Sequence, residues 1–198
     1  ALCGLTTTHL NAVINEKNGV PTVDKLVQED ENKEWGKSNT AQIGETVNYK
    51  TTITAEKGAE NYVLYDKMTA GSVAVTLDYY DTTKTDKVLV KNTDYFVDED
   101  SIDSYTFKVT FSTSIENELV DGDKLVVTYA AVVNEKAEIG TTGNVNDTHL
   151  TYGDENTTGH STTKTYVLEF DLIKSNGQKQ LEGAEFELYD ELTGGNKI

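Results

Sequence analysis

Apolar and polar residues alternate along most of the chain. The stretches ETVNYKTTIT (45–54), NYVLYDKM (61–68), SVAVTLDYY (72–80), YTFKVTFS (105–112), DKLVVTYAAVV (123–133), NVNDTHLTY (144–152) and TKTYVLEFDLIK (163–174) place apolar or aromatic side chains at every second position or close to it. That is the period of a half-buried strand. PTVDKLV (21–27) continues the pattern. Clusters of Gly, Asn, Asp and Thr between these runs, such as DTTKTDK, VDEDSID and VDGDK, read as turns. EWGKSNTAQ (34–42) and STSIENELVDG (112–122) predict at most a turn or two of helix each. Strands at short spacing without intervening helices predict an all-β, immunoglobulin-like sandwich over residues 20–155. Residues 153–164 are polar and contain glycine, as a linker or long turn would. Beyond them, YVLEFDLIKSNGQKQLEGAEFELYD predicts two strands joined by SNGQ. Two strands bury no core alone, so residues 156–198 read as the first strands of a second sandwich.

Parity along these strands exposes an anomaly. Val23, Lys25 and Val27 share a face; so do Tyr62, Leu64, Asp66 and Met68, and so do Asn144, Asn146, Thr148, Leu150 and Tyr152. An amine, a carboxyl group and a carboxamide therefore lie on otherwise apolar faces. An unpaired charge buried there costs several kcal/mol. Buried together, the three have a chemical use. Desolvation lowers the pKa of a lysine and raises that of a carboxylic acid, so the pair can exist as neutral amine and neutral acid. The amine is then a nucleophile, and the acid can polarise a carboxamide and pass a proton to its nitrogen. Lysine and asparagine would join with loss of ammonia. Blander readings exist for each residue. Lys25 can run its methylenes along the valines with its amine in water. Asp66 can be a turn residue before TAG, and Asn146 opens NDT, formally a glycosylation acceptor.

Composition narrows the function classes. Among 198 residues there are 11 tyrosines but a single Met, Trp and Pro, a bias toward strands. The formal net charge of −17 has the wrong sign for nucleic acid or an anionic membrane surface. All 17 strongly basic residues are lysines, which leaves no guanidinium for bidentate grip on phosphates. Cys3 is the only cysteine, so no internal disulfide forms. No run of about twenty apolar residues predicts a membrane span. His9, His149 and His160 show no metal-ligand spacing. DEDSID (98–103) lacks the glycine and distal glutamate of a calcium loop and reads as a solvated turn. The reading includes no metal and no cofactor.

The residues that carry the anomaly also carry a resemblance. VPTVDKLV, IGETVNYKTTIT, YVLYDKM, GDKLVVTYAAVVNEKAEIG and GNVNDTHLTY resemble, in order and spacing, the middle domain of the backbone pilins of Gram-positive bacteria. These are sortase-assembled fimbrial subunits, and that domain is similar to the A-type domain of collagen adhesins. The resemblance implies an isopeptide bond between Lys25 and Asn146, with Asp66 as the catalytic acid; Asn144, of the same parity, is the reserve acceptor. FDLIKSNGQKQLEGAEFELYD resembles the start of a B-type domain, in which Lys174 would form a second bond to residues beyond Ile198. INEKN (14–18) stands where the family has Tyr-Pro-Lys-Asn; the tyrosine and proline are missing, but Lys17 matches the lysine that accepts the next subunit. Residues 1–19 would then be the last strand and linker of a preceding domain.

The resemblance implies a structural shaft subunit of a cell-wall-anchored pilus at the cell surface, linked by sortase to neighbouring pilin subunits. Its chemistry would be a single self-cross-linking event, not turnover. The alternative is a surface adhesin of the same fold that binds a host protein or glycan, with LDYYD (77–81) as the aromatic run to inspect.

Overall fold

The apolar alternation of residues 124–133 becomes an inner strand flanked on both sides. The computed structural model describes residues 19–29, 32–69, 72–81, 87–99, 105–169, 173–180, 182–183, 185–187, 189 and 191–197, with the backbone alone for 72–81 and 87. The strands are β1 (Thr22–Gln28), β2 (Trp35–Gly36), β3 (Ser38–Thr40), β4 (Thr46–Thr54), β5 (Val63–Met68), β6 (Ser72–Asp81), β7 (Lys87–Val88), β8 (Tyr95–Asp98), β9 (Phe107–Phe111), β10 (Lys124–Val133), β11 (Asn144–Tyr152), β12 (Asn156–Thr157) and β13 (Ser161–Tyr166). A short helix, α1 (Thr113–Glu118), lies within 112–122; the Ser112 hydroxyl caps it by accepting from the Ile115 amide.

One sheet runs β2-β1-β4-β10-β6-β7 and the other β3-β13-β11-β5-β9-β8, with β12 against β11. All pairings are antiparallel except β3 with β13. The two sheets enclose Val27, Val47, Ile53, Leu64, Phe107, Val109, Leu125, Val127 and Leu150, which are almost fully buried. Each such side chain contributes about 1.5–3 kcal/mol. The fold is thus the nearly all-β sandwich that the alternation predicts.

Three expectations change. Residues 34–42 hold β2 and β3 rather than helix, since Gly36, Ser38, Asn39 and Thr40 are poor helix formers and each short strand finds an edge to pair with. Among the described residues of the run 163–174, the strand ends at Tyr166. β13 belongs to the sandwich, so that unit continues past residue 155 to Leu168, and residues 169–198 form a separate unit. In the latter, the Asn176 carboxamide oxygen accepts from the Gln178 and Lys179 amides. This closes the SNGQ turn beside a Ser175–Gln180 bridge.

Entry into β11 depends on Gly143, at φ +75°, where an added Cβ would stand 2.8 Å from the Tyr166 ring. Gly122 has φ +84° with open space around it. Gly122→Ala is expected to cost about 1–2 kcal/mol of left-handed backbone strain, and Gly143→Ala more, because the ring must also move. Urea unfolding of both variants measures the difference; equal losses would mean that the Tyr166 contact carries no energy.

Candidate functional site

Register sets which inward side chains meet. On one sheet, β5 pairs with β11 so that Asp66 faces Thr148, which makes Asp66 and Asn146 diagonal neighbours on the inner surface. On the other, β1 and β10 flank β4, with Lys25 and Val127 both opposite Thr51. Lys25 and Asp66 are 0 % exposed and Asn146 is 2 % exposed. The structure therefore brings together three residues drawn from both layers.

Tyr129 of β10 joins them. The Lys25 amine donates to Asp66 Oδ2 and, at 2.6 Å, to Tyr129 Oη. The tyrosine hydroxyl donates to Asp66 Oδ1 at 3.0 Å and accepts from Asn146 Nδ2. One donor and two acceptor sites are the full capacity of a phenol. The Asn146 oxygen is buried without a hydrogen-bond partner. Aromatic rings wall the cluster: Tyr49 stacks on Tyr129 at 5.1 Å, and Phe107 meets it edge-on at 4.9 Å. The Lys25 amine lies 4.8 Å from the Tyr129 ring centre and 5.4 Å from that of Tyr49.

Burial shifts the amine and the carboxyl toward their neutral forms. Burial pulls the Lys25 amine below its ordinary pKa, against the opposing pull of Asp66. Burial likewise pushes the Asp66 carboxyl up, against Lys25 and the Tyr129 hydrogen bond. Tyr129 is held well above the usual phenol range by burial and then by the Asp66 charge, so it acts as a neutral hydrogen-bonding hub. A neutral amine beside a protonated acid and a carboxamide is equipped for acyl transfer to nitrogen.

A polar seam closes the sandwich edge behind the cluster. The Lys25 amide donates to Ser161 Oγ at 2.9 Å, while the Lys37 amine donates to the Lys25 carbonyl at 2.6 Å, to Ser161 Oγ at 3.1 Å and to Asp24 at 2.7 Å.

The remaining expected residues fall elsewhere. Asn144 accepts from the Glu138 amide and donates to the Glu138 and Thr165 carbonyls, so it braces a loop outside the cluster. Burial of the Asn146 carboxamide leaves no room for a glycan there. Lys174 is exposed, in the separate unit 169–198. Lys17 lies outside the described residues, as do the LDYYD side chains. Of DEDSID, Asp98 pairs with Lys108 and Glu99 with Lys91, and the rest lies outside the described residues. Sequence reasoning missed Tyr129. The signal was available, because Tyr129 has the parity of Leu125, Val127, Ala131 and Val133 and puts a hydroxyl into that apolar row.

No family model and no curated protein matches the chain. Solved structures do. The T6 backbone pilin of serotype M6 Streptococcus pyogenes is 22% identical with a TM-score of 0.50, over 76% of this chain and 36% of that one. A 35 kDa C-terminal fragment of the major pilin GBS80 of Streptococcus agalactiae is 17% identical with a TM-score of 0.55, over 75% and 56%. The C-terminal domain of the S. pyogenes antigen I/II-family protein AspA is 15% identical with a TM-score of 0.52, over 73% and 46%. The chain thus spans about a third to just over half of these neighbours. The likeness is one of fold: a pilin-like β-sandwich.

Lys25→Met leaves Asp66 buried without its amine partner. A carboxyl whose folded pKa is raised binds a proton in the folded state that the unfolded chain has released. Stability is then fully present below the ordinary carboxylate value and declines as pH rises toward the folded pKa. Urea unfolding of Lys25→Met between pH 4 and 7 is expected to show this fall, with a limiting slope of about 1.4 kcal/mol per pH unit. A flat profile would mean that Asp66 is not held neutral.

Proposed function

We propose that the chain is part of the backbone subunit of a cell-surface pilus, and that its sandwich is locked by an isopeptide bond between Lys25 and Asn146, promoted by Asp66. The observation that carries this reading is the meeting of a buried amine, acid and carboxamide across the two sheets of a pilin-like fold. The neutral Lys25 amine attacks Asn146 Cγ, and Asp66 hydrogen-bonds the carboxamide oxygen as charge develops there. A proton passes through Asp66 from the attacking nitrogen to the departing one. The Nζ–Cγ bond forms, the Cγ–Nδ2 bond breaks, and ammonia leaves. No cofactor enters the balance. Tyr129 is a positioning residue, holding amine, acid and carboxamide through one hydroxyl.

Such a bond ties β1 to β11 and encloses a loop on the order of 120 residues, for which chain entropy suggests roughly 4–5 kcal/mol. The larger effect is kinetic, because tension or proteolysis that depends on peeling β1 away would have to break an amide. This suits a load-bearing subunit with no cysteine pair. In the same reading Lys17 accepts the next subunit from sortase, residues 20–168 form the A-type domain, and residues 169–198 begin a B-type domain that uses Lys174. Among the described residues no helix is long and apolar enough to cross a membrane.

Intact mass under denaturing conditions tests the bond. The parent is expected one ammonia lighter than its sequence, with Lys25→Ala, Asp66→Ala and Asn146→Ala at full mass. A folded parent at full mass would refute the cross-link. Tyr129→Phe keeps the reacting groups, so its mass deficit should still develop, but roughly ten- to a hundredfold more slowly, equivalent to about 1–3 kcal/mol for a lost buried hydrogen-bonding hub. A time course of mass after refolding reads this; an unchanged rate would remove Tyr129 from the mechanism.

A further inference from the structure

The outer face of β11 carries Asp147 and His149 two residues apart, and β13 pairs with β11 through Asp147–Thr162 and Thr148–Ser161. One step further along this ladder, His160 reaches His149. Their rings lie 4.7 Å apart at 29°, and His160 Nδ1 is 2.6 Å from Asp147 Oδ1. One ligand atom from each of the three residues lies within 4.8 Å of the other two. Histidines that show no metal spacing along the chain are thus gathered by strand register.

We propose that Asp147, His149 and His160 bind one divalent transition-metal ion of the zinc class. Two imidazole nitrogens and a carboxylate oxygen form a recognised zinc donor set that leaves a fourth position for water. The independent sign is His149. It is only 6% exposed, walled by Tyr65 stacked at 5.1 Å and Tyr105 tilted at 5.4 Å, and its Nδ1 is buried with no hydrogen-bond partner. An Asp147–His160 ion pair alone does not account for that orphaned nitrogen. Tetrahedral zinc with bonds of about 2.0–2.1 Å holds its ligand atoms roughly 3.3 Å apart. Asp147 Oδ1 and His160 Nδ1, at 2.6 Å, would part slightly to reach that spacing, and their side chains, 26% and 56% exposed, have room to adjust. The net charge of −17 favours cation capture. A bound ion would clip β11 to the start of β13, on the face opposite Asn146.

Zinc titration of the metal-free full chain by calorimetry near neutral pH, with cobalt(II) absorption as a coordination readout, tests the site. One-to-one saturation is expected, with a tetrahedral cobalt spectrum. His160→Ala and Asp147→Asn alter exposed and partly exposed groups and should each weaken binding tenfold or more. A Cys3→Ser/His9→Ala variant should bind as the parent does. The proposal is overturned by a lack of saturable binding up to millimolar zinc, by unchanged affinity in His160→Ala, or by loss of binding in the Cys3→Ser/His9→Ala variant.

Discussion

The removal of one ammonium group and one carboxyl group from water is the constraint around which the sandwich core is arranged. Lys25 and Asp66 come from different sheets and meet where neither can be hydrated. Left as separate charges they would oppose folding by several kcal/mol. Side by side, with Tyr129 hydrogen-bonded to both, they offset part of that cost, while burial shifts each toward its neutral form. The aromatic wall of Tyr49, Tyr129 and Phe107 maintains the low permittivity on which this balance depends. Packing and the shift toward neutral forms that the proposed cross-link needs are therefore two results of the same desolvation.

Much of this was legible because a strand has a period of two. Parity alone placed Lys25, Asp66 and Asn146 on inward faces, and their burial agrees. Parity could not separate Asn144 from Asn146. That distinction comes from tertiary contacts, since Glu138 and Thr165 engage Asn144. Tyr129 was passed over because tyrosine is an ordinary occupant of a strand face, and its hydroxyl gains meaning only once its neighbours across the core are known.

The misread boundary has a different cause. β13 reads STTKTY, without an aliphatic residue, yet Thr163 and Thr165 are almost fully buried. Threonine has the branched shape of valine and can face inward, so residues 163–166 read as strand, but the polar row before them reads as a linker and assigned that strand to the second sandwich. The Asp147, His149 and His160 group was hidden for a related reason. Its members converge through the register of a hairpin, which residue spacing does not encode.

The seam of Lys37, Asp24 and Ser161 behind Lys25 has a consequence for breathing motions. Lys25 donates its backbone amide to Ser161, so the amide proton is held where the edges of the two sheets meet. Its exchange with solvent deuterium is timed by the parting of those edges. The same parting would admit water to the amine on the other side of the backbone. A single slow or fast amide at this position thus acts as a clock for how long the interior of the sandwich stays dry.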